Sequence, residues 1–517
     1  MKPNKNVVSI NPRTQRAEPV QEPILSPIRR GRFALLGSAI LFVSCLAQAQ
    51  AQTQEPPPTA EQFRALQQKV LELEQLLKAL TSSNAASQAL PYAAAAPRLD
   101  QLNHKIEKIE QNQELAKEAE EERAKTAPKI SLDERGFSFV SADENFKLRV
   151  RGYIQADGRF TLDDPANKFT DTFLLNRVRP VFEGTVFKNY DFKLMPDFGQ
   201  GKAVIQDAYL DAHFLSWLNV RAGKYKAPVG LERLQSARDI VFVERSLPTD
   251  IAPNRDIGAW LHGDILKDVL GYEVGVANGA TDGSSDDSDE NDSKDVEGRL
   301  FAFPFKPSGI KPLEGLGIGV AGTTGHEDGT APAYKTVGQQ TFFSFNSGVT
   351  AQGDRSRISP QAYYYWGPFG LLGEYIVSYE DVRKGTLNKR LANSAWQVTA
   401  SYVLTGEKAS FTGVGPEHPF DPGHGQWGAF ELAARVGQLD MDNDAFRNFG
   451  SAATPNLLAD PTKSASQAFN WGIGLNWYLN RGVKLMLDYD QTHFEGGATR
   501  GDRPTEHALF SRIQVAF

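Results

Sequence analysis

Arginines stand two residues apart in Arg149 with Arg151 and again in Arg177 with Arg179. On extended backbone that spacing puts both members of a pair on one face, where planar guanidinium forks could hand an oxyanion from one to the next. Lys193, Arg221, Lys224 and Lys226 continue the series, and Arg233, Arg238 and Arg245 follow in the long connection from Ala227 to Asn254. Between Lys147 and Arg255 there are 17 Lys or Arg against 13 Asp or Glu, a local excess of +4 in a chain whose net charge is -7. The competing arrangement is a mixed-charge constriction in which Asp157, Glu183, Glu232, Asp239 and Glu244 pair with these bases.

Other chemistries fail on composition or context. One cysteine in 517 residues, Cys45, cannot close an intramolecular disulfide or supply a thiolate set for zinc or an iron-sulfur cluster. An acidic chain lacks the basic surface of a nucleic-acid binder. Gly317-x-Gly319-x-x-Gly322 spells a dinucleotide fingerprint, but no helix pattern follows it, and small residues in a strand explain it better. The acidic run from Asp282 to Glu297 has Asp292 where a calcium loop begun at Asp287 needs glycine, so it reads as a solvated outer loop. His326-Glu327 lacks a second histidine four residues on, and no Gly-x-Ser-x-Gly elbow is present. No catalytic residue, metal ligand or cofactor is expected.

The elements that must carry the basic residues have a period of two. In Phe146 to Phe160, Phe146, Leu148, Val150, Gly152, Ile154 and Ala156 alternate with Lys147, Arg149, Arg151, Gln155, Asp157 and Arg159. The same alternation returns in Phe430 to Val436 and in Val483 to Asp490. Charges repeated at this density on the inner face would be intolerable in a packed core and suit a water-filled lumen. Aromatics near strand ends, Tyr363 to Trp366, Trp471, Trp477, Tyr478 and Tyr489, fit the girdles of a membrane barrel. About sixteen runs begin near residues 146, 173, 190, 203, 218, 256, 271, 297, 315, 354, 369, 394, 427, 468, 482 and 506. The expected fold is therefore all-β, a transmembrane antiparallel barrel of about sixteen strands over residues 129–517, preceded by a helical coiled coil. Odd strands should end in long outer loops and even strands in short turns. Thr405 to Gln426 is long where a turn is due, and Pro180 sits awkwardly inside the second strand.

Ahead of the barrel, Arg29, Arg30 and Arg32 precede the apolar run Phe33 to Ala47, and Ala47-Gln48-Ala49 or Ala49-Gln50-Ala51 offers a small-x-small cleavage site. Residues 1–51 read as a signal peptide with a long polar leader. In residues 52–128, Phe63, Leu66, Val70, Leu73, Leu77 and Leu80 are spaced 3, 4, 3, 4, 3, an a/d seam. The seam breaks at 81–98, with Pro91 and Pro97, and resumes at Leu99, Leu102, Ile106 and Ile109. This segment holds nothing else for the stripe to cover, so self-association is expected.

Several stretches of the barrel region resemble the phosphate-selective porin O and P family. They are Phe173-Leu-Leu-Asn-Arg-Val-Arg-Pro180, Leu194-Met-Pro-Asp-Phe198, Gln206-Asp-Ala-Tyr209, Gly223-Lys-Tyr-Lys-Ala-Pro-Val-Gly-Leu-Glu-Arg233, Glu244-Arg-Ser-Leu-Pro248, Asn254-Arg-Asp-Ile-Gly258, Ser401-Tyr-Val-Leu-Thr-Gly-Glu407 and Asn476-Trp-Tyr-Leu479. The resemblance implies a homotrimeric sixteen-stranded channel in the outer membrane of a Gram-negative bacterium, in contact with lipid and lipopolysaccharide, with a periplasmic coiled coil in some members. It also implies that Ala227 to Asn254 is the third loop, folded into the barrel, and that the terminal Phe517 is an insertion signal. The expected cargo is small inorganic anions, phosphate or polyphosphate. Alternatives are a general mixed-charge porin, a tether from outer membrane to cell wall through the coiled coil, and, more weakly, an outer-membrane hydrolase.

Overall fold

The computed structural model describes residues 68, 69, 71, 75, 78, 90–133, 136–163, 170–266, 268–285, 287 and 291–517. The signal segment and the seam residues Phe63, Leu66, Val70, Leu73, Leu77 and Leu80 lie outside the described residues. The chain divides into two compact units, Met1–Glu120 and Glu121–Phe517. Helix α1, Leu90–Thr126, takes in residues 90–98, the latter half of the stretch where a break was expected. Pro91 stands at its first turn, where the missing N–H costs nothing, and Pro97 removes one bond from a run that Ala93 to Ala96 favour strongly. Along α1, Ile106, Ile109 and Gln113 are half-buried among exposed neighbours. None of the described helices is long and apolar enough to cross a membrane.

The second unit opens with a hairpin, β1 (Lys129–Asp133) and β2 (Gly136–Val140). The barrel begins with β3 (Lys147–Leu162), β4 (Thr172–Val186), β5 (Tyr190–Asp197), β6 (Val204–Leu215), β7 (Leu218–Lys226) and β8 (Arg255–Leu266). It continues with β9 (Leu270–Ala277), β10 (Asp295–Ala302) and β11 (Leu316–Thr330); β12 (Tyr334–Lys335) and β13 (Thr341–Phe343) pair with each other inside the next connection. It ends with β14 (Val349–Trp366), β15 (Phe369–Lys384), β16 (Leu387–Val403), β17 (Ala429–Asp440), β18 (Ala465–Tyr478), β19 (Val483–Gly496) and β20 (Glu506–Ala516). Each barrel strand is antiparallel to the next, and β20 pairs with β3, which closes sixteen strands.

Side chains follow the two-residue period. Ile154, Leu432, Ile473, Leu487 and Ile513 face outward, while Gln155, Asp157, Glu431, Arg435 and Arg512 are buried on the inner face. Tyr478 also turns inward and donates to Glu431 at 2.6 Å, so it is no part of a girdle; Phe430 and Trp477 stack outside. Pro180 is accommodated because the β4–β5 ladder runs only from Phe182 to Val186, which leaves no bond for its absent N–H to miss. Gly317 and Gly319 lie in β11 against the Phe301 ring, leaving it the room a Cβ would occupy. The long connection 404–428 is present. The expected loop parity fails after β15, where only residues 385 and 386 make the outer turn.

Closure is held by a buried bidentate pair, Arg512 of β20 to Asp157 of β3 at 2.6 and 2.7 Å, with Asn176 also donating to Asp157 at 2.5 Å. Removing one partner strands the other's charge, a penalty of roughly 3–5 kcal/mol. Asp157→Ala should therefore lower the temperature at which the folded barrel band disappears on gels, and an unchanged temperature would refute this role.

Candidate functional site

The connection 227–254 enters the lumen from Lys226 and is fastened around the wall. It turns at Gly230, whose φ of +84° and proximity to Ala252 leave no room for a side chain. The short helix α2 (Leu231–Leu234) follows. The amides of Leu231 and Glu232 donate to Glu374 of β15 at 2.6 and 3.2 Å. Further on, Gln155 donates to the Ala237 carbonyl at 2.9 Å, Gln514 to Arg238 at 3.1 Å, Lys484 to Ile240 at 2.9 Å and Asn476 to Val241 at 2.9 Å. Val243 donates to Asp488 at 2.5 Å, and Arg435 holds the Glu244 carbonyl at 2.8 Å.

On one side of this connection, Val243, Leu247 and Ile251 join an apolar core with Tyr334, Phe342 and Phe343 of the β12–β13 hairpin and with Leu439, Leu458, Phe494 and Phe510. On the other side is a cavity of about 240 Å³, whose wall residues come only from β3 to β8 and the connection itself. Nine cations line it, namely Arg151, Arg177, Arg179, Lys193, Lys226, Arg233, Arg238, Arg245 and Arg255, with Asp207 as the single carboxylate in the lining. Eight of these nine were expected from sequence. A bulge in β4, where Asn176 is the extra residue opposite the step from Gln155 to Ala156 of β3, keeps Arg177 and Arg179 on the inner face.

Five of the nine are anchored by carboxylates. Arg151 makes a bidentate pair with Glu183 at 2.8 and 2.7 Å, and Arg179 binds Asp197 at 2.6 Å and the Tyr153 hydroxyl at 2.9 Å. Lys193 and Arg255 share Asp207 at 2.9 and 2.8 Å, and Arg238 meets Asp239 at 3.2 Å. The other four have no ion pair among the described residues and rest on neutral oxygens. Arg177 donates to Gln155 at 2.8 Å, and Lys226 to the carbonyls of Leu234 and Gln235 at 3.0 and 2.9 Å. Arg245 donates to the carbonyls of Glu232 and Gln235 at 3.2 and 2.6 Å, and Arg233 to that of Thr249. Burial pulls the Arg233 guanidinium down to about 10, and burial with the neighbouring Arg233 charge does the same to Arg245, so both stay cationic at neutral pH. A cavity with this surplus of donors, and neutral partners for four of them, can hold a multivalent oxyanion by charge-assisted hydrogen bonds.

Three expected residues are elsewhere. Arg149 stands toward the rim, 3.9 Å from Glu183, with nearly half its side chain exposed. Arg221 is bound to Asp211 at 2.7 Å and lies over the rings of Tyr225 and Tyr209. Lys224 pairs with Asp287. Arg221→Gln should leave ion preference unchanged and weaken the folded barrel, because its charge is consumed locally; a shifted reversal potential in bilayer recordings would contradict this. The acidic run also departs from a solvated loop. Asp282 is buried and accepts from Arg357 at 2.7 Å, Asp295 meets Arg355 at 3.4 Å, and Glu297 accepts from Trp260 at 3.0 Å. Of the carboxylates expected to pair with these bases, Glu183 and Asp239 do so with Arg151 and Arg238, whereas Glu244 takes Arg159 at 2.6 Å and Asp157 is used by Arg512. Arg255 and Asp207 were missed, although both lie in the stretches that carried the family resemblance. No group of three or more His, Cys, Asp or Glu suited to a metal occurs among the described residues.

The sequence profile of the family described as Phosphate-selective porin O and P matches residues 146–517. No curated protein matches the chain. Solved structures similar to it include a loop L8 deletion mutant of OmpT, an outer membrane protein of Vibrio cholerae, with TM-score 0.47 and 11% identity, covering 72% of this chain and 100% of that one. The outer membrane channel DcaP of Acinetobacter baumannii gives TM-score 0.47 and 10% identity over 72% of this chain and 98% of that one. The anion-selective porin from Comamonas acidovorans gives TM-score 0.45 and 10% identity over 72% and 100%.

Proposed function

Because the chain belongs to the phosphate-selective porin O and P family, we propose that it is an outer-membrane channel for passive diffusion of small inorganic anions, with phosphate or polyphosphate as preferred cargo. The observation that carries this reading is the cavity beside the connection 227–254, where nine cations face one carboxylate and four of the cations rest on neutral oxygens. An anion entering it exchanges hydration for several N–H donors at once, each charge-assisted bond contributing roughly 1.5–3 kcal/mol. A cation would meet like charge in a confined, low-dielectric space.

The channel works as a homotrimer, and α1 with the seam before it forms a periplasmic coiled coil that is a candidate contact with the cell wall. Planar-bilayer recording tests the reading. Reversal potentials in a KCl gradient should lie on the chloride side, and micromolar to millimolar phosphate should reduce chloride current by occupying the cavity. Cation preference, or chloride current indifferent to phosphate, would overturn it. The pairing of Arg151 with Glu183 and Arg238 with Asp239 favours a second reading, a mixed-charge general porin. That reading expects weak selectivity and no phosphate block.

A further inference from the structure

The β1–β2 hairpin takes no part in closing the barrel. On β3 it occupies Lys147 to Val150, the stretch left free because β20 ends with Ala516 opposite Tyr153. It thus prolongs the wall beyond the end of β20. β1 lies outermost, bonded to β2 along one edge and to no strand along the other among the described residues. Ile130 stands opposite Phe139 and Leu132 opposite Phe137, and those phenylalanines pair with Leu148 and Val150 on the outward face of β3. This face is bare: Ile130 and Leu132 are each 67% exposed, and Phe137, Phe139 and Leu148 remain exposed.

Neither solvent suits such a surface. Water leaves the apolar face uncovered, and lipid leaves the N–H and C=O groups of an open strand edge without partners. A protein surface can satisfy both, because it offers side chains to pack and an edge to pair. Further along the same outer wall, across β19, β20, β3 and β4, lies a depression of about 520 Å³. Small residues, Ala156, Gly158 and Ser511, line it together with Phe173, Leu175 and Ile513, a relief suited to a neighbour's side chains. In sequence only Ala127 and Pro128 separate β1 from α1, whose stripe of Leu99, Leu102, Ile106 and Ile109 asks for another copy.

We propose that the β1–β2 hairpin docks on a neighbouring copy of this chain, its apolar face and open edge forming the lower part of the contact between barrels. This rests on the trimeric reading above. Two measurements on the full-length chain carrying Cys45→Ser test it. With Ile130→Cys added, a short bis-maleimide should join protomers in membranes, and a fluorophore at that cysteine should be poorly quenched by spin-labelled lipid. Strong lipid quenching without cross-linking would give the face to the bilayer, and water-like emission without cross-linking would leave it free; either overturns the proposal. Ile130→Asp with Leu132→Asp should lower the temperature at which the oligomer dissociates on gels, while the heat-modifiable monomer band is retained. An unchanged dissociation temperature counts against the docking. A chain that is monomeric in mild detergent defeats the trimeric reading itself, whereas a trimer that does not cross-link through residue 130 defeats only the hairpin's part in it.

Discussion

Arg177→Glu combined with Lys226→Glu is expected to move the reversal potential in a KCl gradient from the chloride side to the potassium side. Both residues face the cavity and neither has a carboxylate within ion-pair distance among the described residues, so their charge is available to a permeating ion. The double change puts two carboxylates where two basic groups stood, within a few ångströms of a permeating ion, a scale on which screening by salt is weak. The lost bonds run to one amide oxygen and two carbonyls, typically about 1 kcal/mol net each, less than the breaking of an ion pair costs. Arg179→Glu is expected to behave in the opposite way. It would place a carboxylate against Asp197, now 2.6 Å from the guanidinium, and so lower the heat stability of the barrel more than it alters selectivity. A double variant whose reversal potential stays on the chloride side would sink the anion reading of the cavity.

Glu374→Ala is expected to widen the passage. This carboxylate on β15 accepts the first two amides of α2, Leu231 and Glu232, and is where the connection 227–254 is tied to the wall far from its origin on β7. Its removal leaves buried N–H groups unpaired at roughly 1–3 kcal/mol, a penalty the connection escapes by detaching toward water. Single-channel conductance should rise, current noise should increase as the segment moves, and the preference for chloride should fall because Arg233 and Arg245 leave the cavity with it. Glu374→Gln retains one acceptor oxygen and should lie between the two. Equal conductance in all three proteins would show that the remaining anchors, Asp488 and Arg435 among them, suffice alone.

The linear chain already determined the sixteen strands, because lipid on one side and water on the other impose a period of two that survives any detail of packing. The expected starts agree with β3 to β11 and β14 to β20 within a few residues, except at β14 and β16, which begin earlier, at Val349 and Leu387. Local charge excess likewise marked eight of the nine basic residues of the cavity, five of them on strands and Arg233, Arg238 and Arg245 on the connection. Parity could not say which of those cations keep their charge for a ligand. Arg221 satisfies the same pattern as Arg177, yet Asp211 neutralises it from the neighbouring strand, a partner ten residues away that only pairing register brings opposite. Lys224 is lost to Asp287 of an acidic loop that looked solvated, and Arg255 was overlooked because it is the first residue after a connection with no period. The detailed course of the connection 227–254 was out of reach for the same reason, although the family resemblance implied that it folds into the barrel. Its course is set by carboxylates, amides and amines at residues 155, 374, 476, 484, 488 and 514, and those groups meet it only once the barrel has closed.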